Sequence, residues 1–306
     1  MTTDGSARIV GVRVGIVDVG ANTVRLLVAA RDGERLVSVR EERVQLGLGE
    51  QIEQTGRISE EKLDETAATA ATRVRRARKL GCAAVEVLVT SPGRQADNGQ
   101  ELVARLREAT SAPTRVLSAE EEGALAWRGA VSAGCDLPST VAVCDVGGGS
   151  AQIAVGTVTD GPAWTRSVDI GSLRLTRRAI REDPPSDGDL KRAQQEIERS
   201  FDDVTPPLPL AALAVGGTAR ALRRVAGERL TADAIEAAIA DLGTLPSRQI
   251  AKRYKLDRQR ARTITAGGLI LAEIQRRLTV PLEVGRGGIR EGAALQLLEA
   301  TIAATG

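Results

Sequence analysis

Two short turns of this 306-residue chain carry the residue types that chemistry needs. Asp18-Val19-Gly20 is followed by Asn22 and Thr23, and Asp145-Val146-Gly147 is followed by Gly148, Gly149 and Ser150. Glycine turns expose backbone N–H groups that no side chain shields, and such groups bind anionic oxygen. A carboxylate beside an anion nest repels the ligand unless a metal ion or its hydration shell lies between. The duplicated Asp therefore points to metal-assisted phosphate binding, with a pair of purely structural turns as the alternative. A third turn, Gly216-Gly217-Thr218-Ala219-Arg220, precedes a helical run whose amino terminus either faces an anion or is simply capped. A fourth, Gly285 to Gly292, adds Arg286 and Arg290 to a glycine density suited to close backbone approach. No GxxxxGK[ST] is present and no GxGxxG opens a helix after a strand, so both familiar nucleotide fingerprints are excluded.

Such turns need strands to hold them, and the sequence supplies the strands twice. Val14 to Val28 (VGIVDVGANTVRLLV) lies over Val141 to Val155 (VAVCDVGGGSAQIAV), each reading apolar strand, Asp-Val-Gly, polar turn, apolar strand. Each copy then reaches an Asp-Gly pair, Asp32-Gly33 or Asp160-Gly161, the dipeptide favoured where adjacent antiparallel strands join. Between the copies the pattern predicts a helix over Ser59 to Leu80, a buried strand over Ala84 to Thr90 and a helix over Gly99 to Ala109. After the second copy it predicts helices over Gly188 to Phe201, Ala232 to Leu242 and Arg248 to Tyr254, another ending at Arg277, and a strand over Leu210 to Val215. The break at Ser132 to Ser139 divides the chain into an expected amino-terminal domain, 1–131, and a carboxy-terminal domain, 132–306.

Composition removes other classes. The chain exceeds the size of one growing core, and 42% apolar with 27% charged residues fits a globular protein. Lys plus Arg number 42 against 40 Asp plus Glu, a net charge of +2, which gives no basis for a nucleic-acid coat. Only Trp127, Trp164, Phe201 and Tyr254 are aromatic, too few for a base-stacking platform. There is no His, and Cys82, Cys135 and Cys144 lack CxxC spacing, so zinc sites and His-based catalysis are excluded together. The thiols read as buried and reduced. Met1 to Val12 lacks the features of a signal peptide, and no apolar window has membrane-spanning length, so the expected location is the cytoplasm without membrane contact. Two basic runs, Arg73 to Lys79 and Arg248 to Arg262, read first as solvated helix faces and second as surfaces that would draw a polyanion.

Seven segments in order carry a resemblance. IVDVGANTVRLLV, TSPGRQADNG (Thr90 to Gly99), LSAEEEGALAWRG (Leu117 to Gly129), CDVGGGSAQI, IGSLRLT (Ile170 to Thr176), VGGTAR (Val215 to Arg220) and GGIREG (Gly287 to Gly292) resemble the motifs of the exopolyphosphatase and guanosine pentaphosphate phosphohydrolase family, over about residues 13 to 300. The resemblance implies α/β architecture with two actin-like, ribonuclease H-like domains flanking a cleft, the first completed by a terminal helix near 290–304. It implies hydrolysis of terminal phosphoanhydride bonds of inorganic polyphosphate, with pppGpp as a related substrate, ppGpp its product, and a homodimer.

Residue by residue, Glu122 matches the family's catalytic glutamate, with Glu121 the fallback by one register. Arg94 and Asn98 match an R-x-A-x-N stretch, and Ser91 before them reads equally as a hydrogen-bond partner for a phosphate oxygen or as an ordinary helix or turn cap. Pro92 departs from the alanine usual in the family and restricts that turn. Asp145, with Asp18 helping, is expected to hold Mg²⁺, because hard carboxylate oxygen suits that ion. Gly20, Asn22, Thr23, Gly147, Gly148, Gly149, Ser150 and Gly217 are expected to receive phosphate. Gly171, Arg174, Arg290 and Glu291 match further family positions, as substrate contacts or as internal ion pairs. An actin-like kinase or ATPase, and a ppGpp or polyphosphate sensor without turnover, remain the alternative functions.

Overall fold

The structure, a computed structural model, describes residues 11–33, 35–134 and 136–304; Cys135 and residues 1–10 of the Met1 to Val12 segment lie outside the described residues. In the first half β1 (Arg13–Val19), β2 (Thr23–Asp32) and β3 (Arg35–Gln45) form an antiparallel meander. It is followed by α1 (Leu48–Thr55), α2 (Glu60–Lys79), β4 (Cys82–Val89), α3 (Ser91–Gln95), α4 (Gly99–Thr110), β5 (Thr114–Val116) and α5 (Ala119–Ala133). The second half repeats the meander as β6 (Thr140–Val146), β7 (Ala151–Thr157) and β8 (Gly161–Val168). Then come α6 (Ser172–Ala179), α7 (Asp187–Ser200), β9 (Ala211–Val215), α8 (Gly216–Ala226), β10 (Arg229–Leu230), α9 (Ala232–Thr244), α10 (Ser247–Arg253), α11 (Arg258–Leu278), β11 (Leu282–Val284) and α12 (Ile289–Ala303).

Strand order makes the duplication explicit. The first sheet runs β3-β2-β1-β4-β5, and the second contains the same order as β8-β7-β6-β9-β11, with β10 added antiparallel at its edge. In both, the fourth strand lies parallel to the first and the fifth parallel to the fourth. Two such units are the actin-like, ribonuclease H-like architecture. The first strand of each is buried along nearly its whole length, because helices cover both faces of the sheet.

The helix that matters most for the site is α5. Its Leu125 packs with β1, β2 and α12 in the first half, while Ala126, Trp127 and Ala130 pack against β6, β7 and β9 in the second. It is thus a wedge between the two sheets. Gly129 lets it cross α12 at backbone contact, since a Cβ there would collide with Gly288 and Gly292. The glycine-dense turn at Gly285 to Gly292 therefore serves this helix crossing, and of its basic residues Arg290 pairs with Glu41 at 3.3 Å.

Local punctuation follows the sequence closely: Ser59 caps α2, Ser186 caps α7 with Asp189 in a capping box, and Asp257 caps α11. Three short helices, α1, α3 and α6, have no counterpart in the periodicity, because one or two turns give too few repeats. The expected loop at Ser91 to Gln95 is α3, and Pro92 sits in its first turn, where the missing N–H costs nothing. The basic run Arg73 to Lys79 is largely committed within the first half: Arg73 and Arg76 pair with Glu42, and Arg78 donates to the Ser111 carbonyl. No described helix is long and apolar enough to cross a membrane.

Candidate active site

Between the two sheets lies a cavity of about 110 Å³ whose wall is the set of strand ends and turns. Asp18 and Gly20 to Thr23 line one side and Asp145 and Gly147 to Ser150 the other, with Ser91, Glu122, Gln152, Gly217, Arg25 and Arg260 completing it. Of the residues expected from sequence, Asp18, Gly20, Asn22, Thr23, Ser91, Glu122, Asp145, Gly147, Gly148, Gly149, Ser150 and Gly217 are brought together here.

The two turns close by the same bond. The Gly20 amide donates to the Thr23 carbonyl at 3.0 Å, and the Gly147 amide to the Ser150 carbonyl at 2.9 Å. These two amides are therefore spent inside the turns and do not serve the nest. The amides of Ala21, Asn22, Gly148 and Gly149 bond to no acceptor among the described residues and are the donors available to an anion. The second turn is held from behind by the start of α6, where Ser172 donates to Gly147 and both Leu173 and Arg174 donate to Gly148.

Glu122 enters from the first turn of α5. Ser118 caps that helix and Glu121 completes the capping box, its carboxylate also pairing with Arg115. The cap occupies Glu121, leaving it exposed, and a further step along the helix turns Glu122 into the cavity, 2% exposed. Arg94 donates from Nη1 to Glu122 Oε1 at 2.8 Å and from Nη2 to Oε2 at 3.2 Å, and Gln152 donates to Oε2 at 2.7 Å. Burial pushes the Glu122 carboxyl up to about 7, Arg94 opposes the shift, and Asp18 and Asp145 add to it. Such a group can take a proton near neutrality.

Arg94 is thus placed behind the glutamate, not on the cavity wall, and also donates to the Leu117 carbonyl. Asn98 is not brought to the site at all. Its amide bonds both backbone groups of Ile58, at 3.0 and 2.8 Å, tying α4 to the segment before α2. Arg174 is an internal ion-pair residue, buried against Glu53 and Asp169.

Burial raises the carboxyls of both Asp18 and Asp145; Arg25 lowers each in part, Glu291 adds to the rise at both, and Asp18 adds to it at Asp145. Asp18 Oδ1 has no hydrogen-bond partner. An orphaned buried carboxylate oxygen beside a second carboxylate is the donor chemistry that a hard divalent cation takes. No group of three or more His, Cys, Asp or Glu is gathered for a metal among the described residues, so a cation here would rest on two carboxylates plus water and ligand oxygens. Gly216, at φ +82, brings the amino terminus of α8 so close to Asp145 that a Cβ would strike its carboxylate. The anion facing that helix terminus is therefore Asp145.

Arg25, Gly217 and Arg260 also line an adjacent cavity of about 480 Å³, whose wall adds Arg43, Arg220 and Arg290 together with Glu41, Glu42 and Asp257. Arg25, Arg220 and Arg260 form no ion pair among the described residues, and burial together with neighbouring guanidiniums holds Arg260 down at about 10. From the second basic run only Lys255 and Arg260 reach this wall. Gln95 and Gln259, which nothing in the sequence singled out, bridge the halves: Gln95 donates to the Gly149 carbonyl and Gln259 to Asn22 Oδ1.

The sequence model of the Ppx/GppA phosphatase family matches residues 27–301. Exopolyphosphatase 1 of Mycobacterium tuberculosis is 28% identical over 311 residues, covering 94% of this chain and 88% of the relative. Exopolyphosphatase 2 of the same organism is 29% identical over 317 residues, covering 93% and 98%. The crystal structure of the Aquifex aeolicus Ppx/GppA family member is similar with a TM-score of 0.81 at 25% identity, covering 96% of this chain and 99% of that one. An exopolyphosphatase structure from Cytophaga hutchinsonii shares the fold with a TM-score of 0.85 at 20% identity, covering 94% and 98%.

Proposed function

This chain belongs to the Ppx/GppA phosphatase family, and from that premise we propose that it is an exopolyphosphatase, cleaving the terminal phosphoanhydride bond of inorganic polyphosphate. The observation that carries the reading is a single buried carboxylate, Glu122, held by Arg94 and Gln152 and facing two turns whose amides are open to an anion. The terminal phosphoryl group lies against the amides of Ala21, Asn22, Gly148 and Gly149, which stabilise charge on its oxygens in the transition state. Glu122 accepts a proton from the water that attacks phosphorus. The bond to the bridging oxygen breaks, orthophosphate leaves, and the chain is one unit shorter. Asp18 and Asp145 would hold a divalent cation, Mg²⁺ in our reading, which when bound neutralises charge on the phosphoanhydride oxygens. The arginine-lined outer cavity receives the remaining chain. The same chemistry extends to pppGpp, whose terminal anhydride is equivalent.

The test is orthophosphate release with Mg²⁺ from short polyphosphate, long polyphosphate and pppGpp, using wild type and Glu122→Gln. We expect kcat to fall by roughly 10²- to 10⁴-fold in the variant. Undiminished release would remove Glu122 from the mechanism, and ligand binding by the wild type without release would favour a sensor.

A further inference from the structure

At the end of the first sheet away from the cleft, one stretch of strand edge is bare. β5 pairs with β4 only over Val87 to Val89, so the first half of β4 has a neighbouring strand on one side alone. The Val87 amide points outward and donates to the Pro113 carbonyl, and Val85, two residues earlier, turns its N–H and C=O the same way. Neither group of Val85 meets a partner among the described residues.

A cavity of about 510 Å³ runs along this edge, between it and α12, with Ala84, Leu297 and Ala300 in its apolar wall. Two arginines border it. Arg115 is spent on Glu86 at 2.7 Å and Glu121 at 2.5 Å. Arg78, exposed in the last turn of α2, donates to the Ser111 carbonyl and has no carboxylate partner among the described residues.

We infer that this edge captures the carboxy-terminal end of an extended, apolar peptide from a partner protein. A peptide backbone is the ligand that satisfies an unpaired N–H and an unpaired C=O together. Direction follows from the charge. Only Leu80 and Gly81 separate α2 from β4, which places Arg78 where β4 starts. A segment running antiparallel to β4 therefore brings its terminal carboxylate to Arg78, a group whose planar fork suits it. Length follows from the two limits of the edge. Pro113 closes it beyond Val85, and the register shift at Arg13/Val14 distorts β4 before Ala84, which leaves about three residues of regular pairing. The catalytic turns lie at the other end of these strands, since Arg13 pairs with Cys82 and Asp18 with Leu88. A docked tail thus tethers the enzyme to its partner and leaves the cleft open.

The probe is acetyl-Val-Thr-Val with a free carboxyl terminus, titrated into isotope-labelled protein and followed by NMR. Beside it run the same peptide with an amidated carboxyl terminus, decanoate, and the variants Arg78→Gln and Ala300→Trp, with thermal melts of each. We expect a saturable shift of the Val85 amide signal with a Kd below about 1 mM, and slower hydrogen exchange at that amide. Amidation and Arg78→Gln should each weaken binding about tenfold or more, because a charge-assisted hydrogen bond is lost. Ala300→Trp, which fills the groove from an exposed helix position, should abolish binding, while kcat and KM for polyphosphate stay unchanged with the peptide bound to wild type. If a variant melts early, the amidated peptide carries the charge test on wild type. No shift at Val85 up to about 10 mM peptide, or equal binding of the acid and the amide, would overturn the assignment. Tighter binding of decanoate than of the peptide, without protection of Val85, would overturn it in favour of an amphiphile site.

Discussion

Glu122 is held where its charge is unwelcome, and this has consequences for both rate and stability. Its carboxyl, ordinarily near 4.5, is raised to about 7, first by burial. As a base it must be ionised, so kcat is expected to rise with pH through about 7 and then level. A flat profile between about pH 5.5 and 8.5 would contradict the role. For stability the sign is opposite. A group whose folded value is raised contributes its full stability below the unfolded value, and that contribution is lost as pH climbs through the folded one. Glu122→Gln, which mimics the protonated acid, should therefore melt a few degrees above wild type at pH 8 and close to it at pH 5. Its identity was legible only in part. The Glu120 to Glu122 run announces a helix start, but only the Ser118 capping box shows that Glu121 is consumed and Glu122 is turned inward. Asn98 was misplaced for the converse reason, since its partner Ile58 is far away in sequence and leaves no mark on local spacing.

At the scale of elements, the placement of the second turn depends on α6. Gly171 is where that helix begins, and a Cβ on it would strike the backbone of Gly148 and Gly149. Gly171→Ala must push the turn aside, so we expect kcat/KM to fall at least tenfold with a smaller loss of melting temperature. Gly188→Ala, where a Cβ meets no atom closer than 3.6 Å, is the control and should change neither appreciably. The long elements could be read from their periods and caps, as α2 behind Ser59 illustrates. The short α3 and α6 could not, although they carry Arg94 and brace the second turn. Their conformations are imposed by what they touch: Pro92 suits the first turn of a helix as well as it suits a loop.

Across the whole molecule, the halves are joined by polar ties around the cleft. Glu53 of α1 pairs with Arg174 and Arg178 of α6, Arg43 with Asp257, and Gln259 with Asn22. A net charge of +2 conceals the concentration of arginine at the outer cavity. A polyanion bound there displaces counterions, so KM for long polyphosphate is expected to rise about tenfold or more between roughly 50 and 200 mM salt, with kcat little changed. A KM indifferent to salt would argue that the chain does not run through that cavity. The fold itself was legible because the duplication is written in the Asp-Val-Gly turns, whereas the arginine cavity was not, since Arg25, Arg43, Arg220, Arg260 and Arg290 come from distant parts of the chain. That duplication is not an electrostatic symmetry: at the matched position across the sheet from each aspartate the first copy carries the Arg25 cation and the second the uncharged Gln152, so a ligand held between the two turns meets two unlike sides and has one preferred orientation.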